Sequence, residues 1–274
     1  MLENNIDILK KFLEKKYKGR EIVYCGSGWS SIVFFVDEYV VRFPKQNIED
    51  YKFESFICPI ISKYTSVQVP SVSLVENEKY TYAIHKKICG YIRNDSMEMK
   101  QKEKYIKSVA QFLYEIHNVC DDVGIRNIPK DDNLLIGEVE KKLAVYYGNK
   151  QLYKICDKYC QAVNTVEKNR VFLHADFIKD NVLLEMNGKL KGVYDWCNSG
   201  MGEREYEFVN ILIDNEEQFF FDVVREYEHL SGIIVNRERV DELLLIKLVN
   251  KIYWSEQSRD KQQRMIHKLE KMVI

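Results

Sequence analysis

A short apolar strand, a polar loop and a tight hairpin follow one another between residues 171 and 195, and this order strongly constrains the fold. Val171–Leu173 is the apolar run that predicts the first strand. Val182–Leu184 and Leu190–Tyr194 predict two more, and Asn187-Gly188 between them is a strong signal for a two-residue hairpin. We therefore expect a small patch of β-structure within a stretch that is otherwise helical.

Three of the oxygen-bearing side chains in or beside this polar loop have positions that suggest a common site. Asp176 follows the first strand, Asn181 begins the hairpin, and Asp195 ends its return strand. Because a hairpin brings its ends together, its register can place Asn181 beside Asp195, with Asp176 in the same loop. These oxygens suit a hard divalent cation beside a proton acceptor, the apparatus that moves a phosphoryl group from a Mg-bound nucleotide to a hydroxyl. A turn of three solvated polar residues is the alternative, but the combined spacing favours the functional interpretation.

A turn rich in glycine and serine marks the N-terminal part of the chain, where the pattern predicts a β-meander. The turn spans residues 26–31, among the strands Ile22–Tyr24, Ile32–Val36 and Tyr39–Phe43. Glycine allows the backbone to cover phosphate groups closely, and a serine hydroxyl can donate hydrogen bonds to them. A hairpin turn without a ligand fits equally well, but the position one strand before Arg42 favours a phosphate contact.

The pattern of the chain changes near residue 90. Before it strands predominate, with helices predicted at Ile6–Tyr17 and Glu49–Tyr64. After Gly90 the apolar residues recur mostly at helical spacing. We therefore predict an α+β protein with a small β-rich N-terminal lobe, residues 1–87, and a larger, mainly helical C-terminal lobe, residues 88–274.

The charge balance excludes one class of function. The 274 residues include 41 Lys+Arg and 42 Asp+Glu, a net charge of −1. Binding nucleic acid through overall charge requires a large cationic excess. No apolar run is long enough to cross a bilayer, and the seven cysteines contain no CxxC pair, as is typical of a reducing compartment. We expect a cytoplasmic monomer whose partner is a small molecule, with no nucleic acid and no membrane.

The motif His174-x-Asp176-x₄-Asn181, followed by a hairpin and Asp195, resembles the catalytic and metal-binding loops of the aminoglycoside phosphotransferase family. This family is a branch of the protein-kinase-like fold. The match continues through residues 196–208 and, more weakly, over nearly the whole chain, and within the family the hygromycin B phosphotransferases are the most similar. The resemblance implies a two-lobe protein-kinase-like fold and a kinase that phosphorylates an alcohol group.

The resemblance also implies a role for each residue that matches a family motif. Asp176 matches the catalytic aspartate, which orients the substrate hydroxyl and accepts its proton. Asn181 and Asp195 match the ligands of Mg²⁺, and His174 matches the histidine that supports the loop. The implied cofactors are ATP or GTP, together with Mg²⁺.

The implied nucleotide contacts lie in the N-terminal lobe. The family usually has a lysine on the third strand, whereas this chain has Arg42, with Glu54 as the acid best placed to pair with it. Lys45 is an alternative phosphate contact, and a surface ion pair between Arg42 and Glu54 is the alternative without a ligand. The predicted nucleotide-binding residues are Gly26, Gly28, Ser30, Ser31, Arg42, Glu54, Lys86 and Ile88, the last two through backbone groups.

Acidic side chains in the C-terminal lobe predict the substrate class. Aminoglycosides carry several ammonium groups, so the resemblance implies an acidic cleft for a polycationic small molecule. The candidate contacts are Asp180, Glu203, Glu205, Glu207 and Glu256. A solvated helix face is the alternative interpretation of such a charge run.

These features predict a nucleotide- and Mg-dependent O-phosphotransferase, with an aminoglycoside or aminocyclitol antibiotic as the leading substrate and antibiotic resistance as its consequence. Two alternatives stay open. One is a small-metabolite kinase acting on choline, homoserine, methylthioribose or a sugar amine, because fold and catalytic loop would be shared. The other is a nucleotide-binding pseudokinase, for which Arg42 and Asn198 leave some room.

Overall fold

The computed structural model describes residues 2–28, 30–45, 47–93, 97–120, 124–128, 134–165, 169–254 and 259–273. The strands in these ranges are β1 (Ile22–Ser27), β2 (Ser31–Val36), β3 (Tyr39–Pro44), β4 (Ser73–Glu76), β5 (Thr81–Lys86), β6 (Tyr91–Ile92), β7 (Arg170–Leu173), β8 (Val182–Leu184), β9 (Leu190–Val193) and β10 (Gly200–Glu203). The helices are α1 (Leu2–Lys16), α2 (Glu49–Ile61), α3 (Met99–His117), α4 (Ile136–Leu143), α5 (Asn149–Asn164), α6 (Glu205–Asp214), α7 (Glu217–Ser231), α8 (Arg237–Trp254) and α9 (Arg259–Val273).

By packing, the chain divides into two compact units. The first unit comprises Met1–Glu115 and Lys179–Asn198, and the second comprises Ile116–Ile178 and Ser199–Ile274. The lobe boundary expected between residues 87 and 88 stays a prediction.

A five-stranded antiparallel sheet in the order β1-β2-β3-β5-β4 forms the base of the first unit. Phe34 of β2, Val41 of β3 and Tyr82 of β5 are fully buried in one cluster with Leu13 of α1. Burying a side chain of this size contributes about 1.5–3 kcal/mol. The strand pattern near residues 22–43 is therefore the expected one, and α1 covers the sheet through its apolar stripe.

Helix α2 turns one carboxylate into the interior of the first unit. Its buried residues are Tyr51, Glu54, Ile57, Cys58 and Ile61, a stripe at helical spacing. Pro59 lies within the helix without ending it, because the helix continues to Ile61. Glu54 has no exposed surface at all, which requires a cationic or hydrogen-bonding partner beneath the helix.

Strands β8 and β9 form the predicted hairpin, with Val182 opposite Val193. The prediction of a two-residue turn at Asn187-Gly188 is wrong. The N–H of Glu185 donates to the carbonyl of Lys189 at 2.8 Å, and the N–H of Gly188 donates to the carbonyl of Glu185 at 2.9 Å, which leaves a loop of residues 186–188. Gly188 takes the left-handed position that closes such a loop, with a φ of +89°.

Helix α8 is the central element of the second unit, where it packs against α5, α6 and α9. Every residue from Leu243 to Asn250 is buried, so the helix is enclosed on all sides. Lys247 lies within this stretch and is itself buried. β7 and β10 form a two-stranded antiparallel sheet in the same unit, with Leu173 opposite Gly200.

The strands and helices together confirm the predicted α+β class. Among the described residues, no helix combines the length and the apolar character that crossing a membrane requires.

Candidate active site

The loop that carries Asp176 passes through a left-handed turn in the second unit. Ala175 has a φ of +64°, a conformation that costs about 1–3 kcal/mol for a residue with a side chain. His174 is fully buried, and its Nδ1 accepts the N–H of Asp176 at 3.3 Å. His174 therefore contacts the loop in the supporting manner that the resemblance implies.

A buried carboxylate of α6 secures the same turn. Oε2 of Glu207 accepts the N–H of His174 at 2.7 Å and that of Ala175 at 3.1 Å. Asn210, one turn further along α6, donates its Nδ2 to the carbonyl of Ala175 at 2.9 Å. Both backbone polar groups of Ala175 are thus bonded to α6, and these bonds offset the strain of its conformation.

Lys247 of α8 completes this support. Its Nζ donates to Oδ1 of Asn210 at 2.6 Å and to the hydroxyl of Tyr206 at 3.2 Å, and it lies 4.5 Å from the centroid of the Tyr206 ring. A buried ammonium is unfavourable unless it is paired, and these contacts satisfy it. We call Glu207, Asn210 and Lys247 the loop brace.

The carboxyl of Glu207 is electrostatically unusual. Burial raises its pKa to about 7, against the opposing effects of the two backbone N–H donors and of Lys247, while the Asp176 carboxylate adds to the rise. Its Oε1 is buried and makes no hydrogen bond with the described residues. Glu207 therefore changes its charge near neutral pH while it holds the loop of Asp176.

Asn181 and Asp195 lie on adjacent segments of the first unit. Asn181 ends the 3₁₀ turn Lys179–Asn181, and its carbonyl accepts the N–H of Tyr194 at 3.1 Å. The hydroxyl of Tyr194 donates to the carbonyl of Asp180 at 2.6 Å. The hairpin register thus pairs Asn181 with Tyr194 and places Asp195 one residue further along the chain.

The donor set of this pair fits Mg²⁺. Asn181 offers an amide oxygen and Asp195 a carboxylate, and Mg²⁺ is usually held by one or two such protein ligands together with waters and phosphate oxygens. Asp195 has a φ of +67°, and the thiol of Cys197 donates to its Oδ1 at 3.1 Å. Among the residues that the structure describes, no cluster of three or more His, Cys, Asp or Glu side chains offers a metal site.

Arg42 and Glu54 form a buried ion pair beside this hairpin. Nη2 of Arg42 donates to Oε2 of Glu54, and the other carboxylate oxygen accepts the N–H of Trp196 at 3.0 Å. Burial lowers the pKa of the Arg42 guanidinium, but the carboxylates of Glu54 and Asp195 outweigh it and keep the pKa raised. Glu54 therefore links Arg42 of β3 to Trp196, the residue that follows Asp195. The alternative of a surface ion pair is wrong, because both side chains are largely buried.

The glycine- and serine-rich turn is held from the β3–α2 connection. Nζ of Lys45 donates to the carbonyl of Gly28, and its N–H donates to the carbonyl of Ser30 at 2.8 Å. Ser31 is buried and bonds to the hydroxyl of Tyr51, whereas Ser30 is exposed. Gly26 lies where β1 bulges against β2, with a φ of +151°. As phosphate contacts, these residues stay a prediction, and of Ser30 and Ser31 it is Ser30 that is exposed.

The segment expected to contact the base follows β5. Lys86 ends β5, and the side chain of Ile88 packs on Gly192, where a Cβ would lie 2.7 Å from its Cγ2. Val40 pairs with His85 and Arg42 pairs with Ala83, so the side chains of His85 and Arg42 share one face of the sheet. Burial lowers the pKa of His85, with a smaller contribution from Arg42. The base contacts of Lys86 and Ile88 stay predictions.

The candidate substrate carboxylates lie in different surroundings from those expected. Glu203 is buried in an ion pair with Arg239 at 2.9 Å, Glu205 is buried, and Glu207 belongs to the loop brace. Asp180 is exposed, and Glu256 lies outside the described residues. Contact of these residues with substrate stays a prediction, and burial counts against the first three.

Three supporting residues are missing from the sequence-based prediction: Tyr194, Asn210 and Lys247. Asn210 follows Glu207 by one helical turn, which places both on one face of α6. Lys247 is the one charged residue in the apolar run Leu243–Val249. A charge enclosed by such a run is the signal that identifies a buried functional lysine.

Comparison with known proteins identifies the family and the fold. Residues 21–243 match the phosphotransferase enzyme family. A thermostable mutant of aminoglycoside phosphotransferase APH(4)-Ia, in a ternary complex with ADP and hygromycin B, aligns with a TM-score of 0.73 at 19% identity over 97% of each chain. The streptomycin–ATP–APH(2″)-IIa ternary complex aligns with a TM-score of 0.68 at 20% identity over 97% of this chain and 98% of that chain.

A third structure, the GDP complex of wild-type aminoglycoside 2′-phosphotransferase-IIIa, aligns with a TM-score of 0.72 at 16% identity over 97% of this chain and 96% of that chain. These likenesses confirm the predicted two-lobe, protein-kinase-like fold, and a hygromycin-type enzyme is among the similar structures. The family match, which spans residues 21–243, favours an enzyme over a pseudokinase. The chain belongs to the phosphotransferase enzyme family and is a phosphotransferase with the aminoglycoside phosphotransferase fold.

Proposed function

We propose that the chain transfers the terminal phosphoryl group of ATP or GTP, in a Mg-dependent reaction, to a hydroxyl of an aminoglycoside or aminocyclitol antibiotic. The observation that carries this proposal is the loop brace. Glu207 and Asn210 bond both backbone groups of the left-handed Ala175 directly before Asp176. A fold that fixes the backbone next to one carboxylate preorganises that carboxylate for reaction.

Asp176 acts on the acceptor hydroxyl. Its carboxylate accepts a hydrogen bond from the hydroxyl, orients the oxygen for in-line attack and takes the proton as the new P–O bond forms and the bond from the γ-phosphorus to the bridging oxygen breaks, with ADP or GDP as the leaving group. General-base assistance of this kind contributes roughly 10²–10⁴-fold. The remaining acceleration comes from positioning and from charge stabilisation at the phosphates.

Asn181 and Asp195 would hold Mg²⁺ through their side-chain oxygens. When bound, the ion neutralises charge on the phosphate oxygens. Arg42 supplies a permanent positive charge, since its guanidinium stays protonated and Glu54 fixes its position. The exposed Ser30 and the backbone of Gly28 cover the phosphates, and the segment from Lys86 to Ile88 contacts the base.

Support for an antibiotic acceptor comes from the similar enzymes, which were solved with hygromycin B and with streptomycin. The exposed carboxylate of Asp180, next to Asn181, is the described candidate best placed to meet an ammonium group. We propose that the protein works as a cytoplasmic monomer on such a polycation.

The proposal is tested by a coupled assay that offers ATP and GTP, each with Mg²⁺, to the full chain. The acceptors are an aminoglycoside panel that includes hygromycin B and streptomycin, and a second panel of choline, homoserine, methylthioribose and amino sugars. Turnover of at least one aminoglycoside, with protection of bacteria that express the chain, supports the proposal. Turnover restricted to the second panel contradicts it and identifies a small-metabolite kinase.

A further inference from the structure

Tyr194 contacts the segment of Asn181 twice. Its backbone N–H donates to the carbonyl of Asn181 at 3.1 Å, and its hydroxyl donates to the carbonyl of Asp180 at 2.6 Å. These carbonyls belong to the two peptide groups on either side of the Asn181 Cα. Fixing both peptide groups fixes the φ and ψ of Asn181, and with them the direction in which its side chain leaves the backbone.

The same residue adjoins Asp195. Asp195 has a φ of +67°, an uncommon conformation that must be imposed by its neighbours. Tyr194 precedes it directly, while Glu54 accepts the N–H of Trp196 on the other side at 3.0 Å. Asp195 is therefore anchored from both sides, and the anchor on the N-terminal side is the residue that also anchors Asn181.

The short 3₁₀ turn explains why a side chain is needed for this. Lys179–Asn181 is three residues long, so it has few hydrogen bonds of its own to define its geometry. Within the hairpin, the regular ladder begins only at the Val182–Val193 pair. The backbone N–H of Tyr194 bonds to Asn181, one residue beyond that pair, and its hydroxyl bonds to Asp180, two residues beyond it.

We propose that Tyr194 is a positioning residue that sets the distance and orientation between Asn181 and Asp195 and thereby determines the affinity for the divalent cation. This inference rests on the proposed function, because it assumes that these two side chains bind Mg²⁺.

The test removes only the hydroxyl, with Tyr194→Phe, and measures binding of Mn²⁺ to the full chain in the presence of saturating ADP. Free Mn²⁺ is followed by its electron paramagnetic resonance signal, which requires no turnover. We expect the Kd for Mn²⁺ to rise about three- to tenfold, the factor that corresponds to one net hydrogen bond. The affinity for ADP in EDTA should stay unchanged.

Tyr147→Phe is the matched control. Tyr147 also donates its hydroxyl to a backbone carbonyl, that of Ile266, at 3.0 Å. This contact lies in the second unit, and its loss should leave the Kd for Mn²⁺ at the wild-type value. A kinetic readout adds specificity: in Tyr194→Phe the Mg²⁺ concentration for half-maximal rate should rise, while kcat returns to near the wild-type value at saturating Mg²⁺.

An equal Kd for Mn²⁺ in wild type and Tyr194→Phe overturns this inference alone. A parallel loss of ADP affinity in EDTA also overturns it, because the variant would then have disturbed the nucleotide site in general. If the wild-type protein with ADP binds no Mn²⁺, the proposed metal-dependent function fails, and the inference fails with it.

Discussion

The fold holds the backbone directly before Asp176 through the N–H and the carbonyl of Ala175. Asparagine at this position keeps the size of the side chain but cannot accept a proton at neutral pH. We expect Asp176→Asn to lower kcat by about 10²–10⁴-fold and to leave the Kd for ADP unchanged. A coupled assay and titration calorimetry measure the two quantities.

Asp157→Asn is the control for this substitution, because Asp157 is exposed on α5 and accepts a hydrogen bond from Gln161 of the same helix. Its kcat should match that of wild type. Near-normal phosphorylation by Asp176→Asn would remove Asp176 from the mechanism.

Glu207 gives the stability of the protein a dependence on pH. Burial raises its pKa to about 7 from the ordinary 4.5, so the folded state binds the proton more tightly than the unfolded state. This contribution is fully present below pH 4.5 and is lost as the pH rises through 7. Relative to Glu207→Gln, the wild-type free energy of unfolding should fall by about 3 kcal/mol across that window.

Urea unfolding at pH 5, 6, 7 and 8 measures this difference. Glu103→Gln is the control, because Glu103 is exposed on α3, and its profile should parallel that of wild type. Wild type and Glu207→Gln with parallel profiles would show that Glu207 titrates in its ordinary range.

At the scale of elements, helix α8 acts on the loop of Asp176 through α6. Lys247 bonds to Asn210, and Asn210 bonds to the carbonyl of Ala175. Lys247→Met keeps the length of the side chain and removes its charge. We expect kcat to fall about tenfold, with an unchanged Kd for ADP and a loss of stability of about 1–3 kcal/mol.

Lys251→Met, one turn further along α8, is the matched control, and its kcat should stay at the wild-type value. If the two variants lose the same stability and neither loses kcat, the loop brace holds the fold but does not position Asp176.

The loop of the β8–β9 hairpin packs closely against Gln101 at Gly188. A Cβ at Gly188 would lie 2.6 Å from the carbonyl oxygen of Gln101, and the φ of +89° disfavours any side chain. Gly188→Ala should therefore destabilise the protein by about 1–3 kcal/mol, measured by urea unfolding. Gly137→Ala, inside α4 with open space around it, should be neutral or stabilising by about 0.5–1 kcal/mol. Equal effects of the two substitutions would contradict this account of the loop.

The strands were predictable because the signals that specify them lie within a few neighbouring residues of the sequence. Alternation and turn residues specify β2, β3 and the β8–β9 hairpin, and the same short-range spacing places Asp195 one residue from Tyr194, the partner of Asn181. The loop length at residues 186–188 was not predictable, because a left-handed glycine serves both a two-residue turn and the observed longer loop. Pro59 was ambiguous for a similar reason, since its effect depends on how much of the helix follows it.

The loop brace depends on the tertiary packing of the folded chain, so it was not predictable from the sequence. In the sequence alone, Glu207 is one of several acidic residues in a charged run, and such a run suits a substrate cleft. Its actual role depends on α6 meeting the loop that follows β7. The role of Lys247 depends on α8 being packed against α5, α6 and α9. Both are consequences of tertiary packing between segments far apart in sequence, and no local pattern encodes which face of a helix will meet which loop.

Ligand binding should raise the free energy of unfolding of the whole molecule, because the ligand binds only the folded state. At 100 times its Kd, such a ligand adds about 2.7 kcal/mol. We expect ADP with Mg²⁺ to raise the Tm of wild type more than ADP with EDTA does.

Asp195→Asn should lose the Mg²⁺-dependent increment in Tm and keep the increment that ADP gives in EDTA, since Arg42 and Glu54 are unchanged. Asp157→Asn should keep both. A Mg²⁺-dependent increment that persists in Asp195→Asn would exclude Asp195 as a metal ligand. Loss of both increments would show that Asp195 supports the nucleotide site through its electrostatic effect on Arg42 instead.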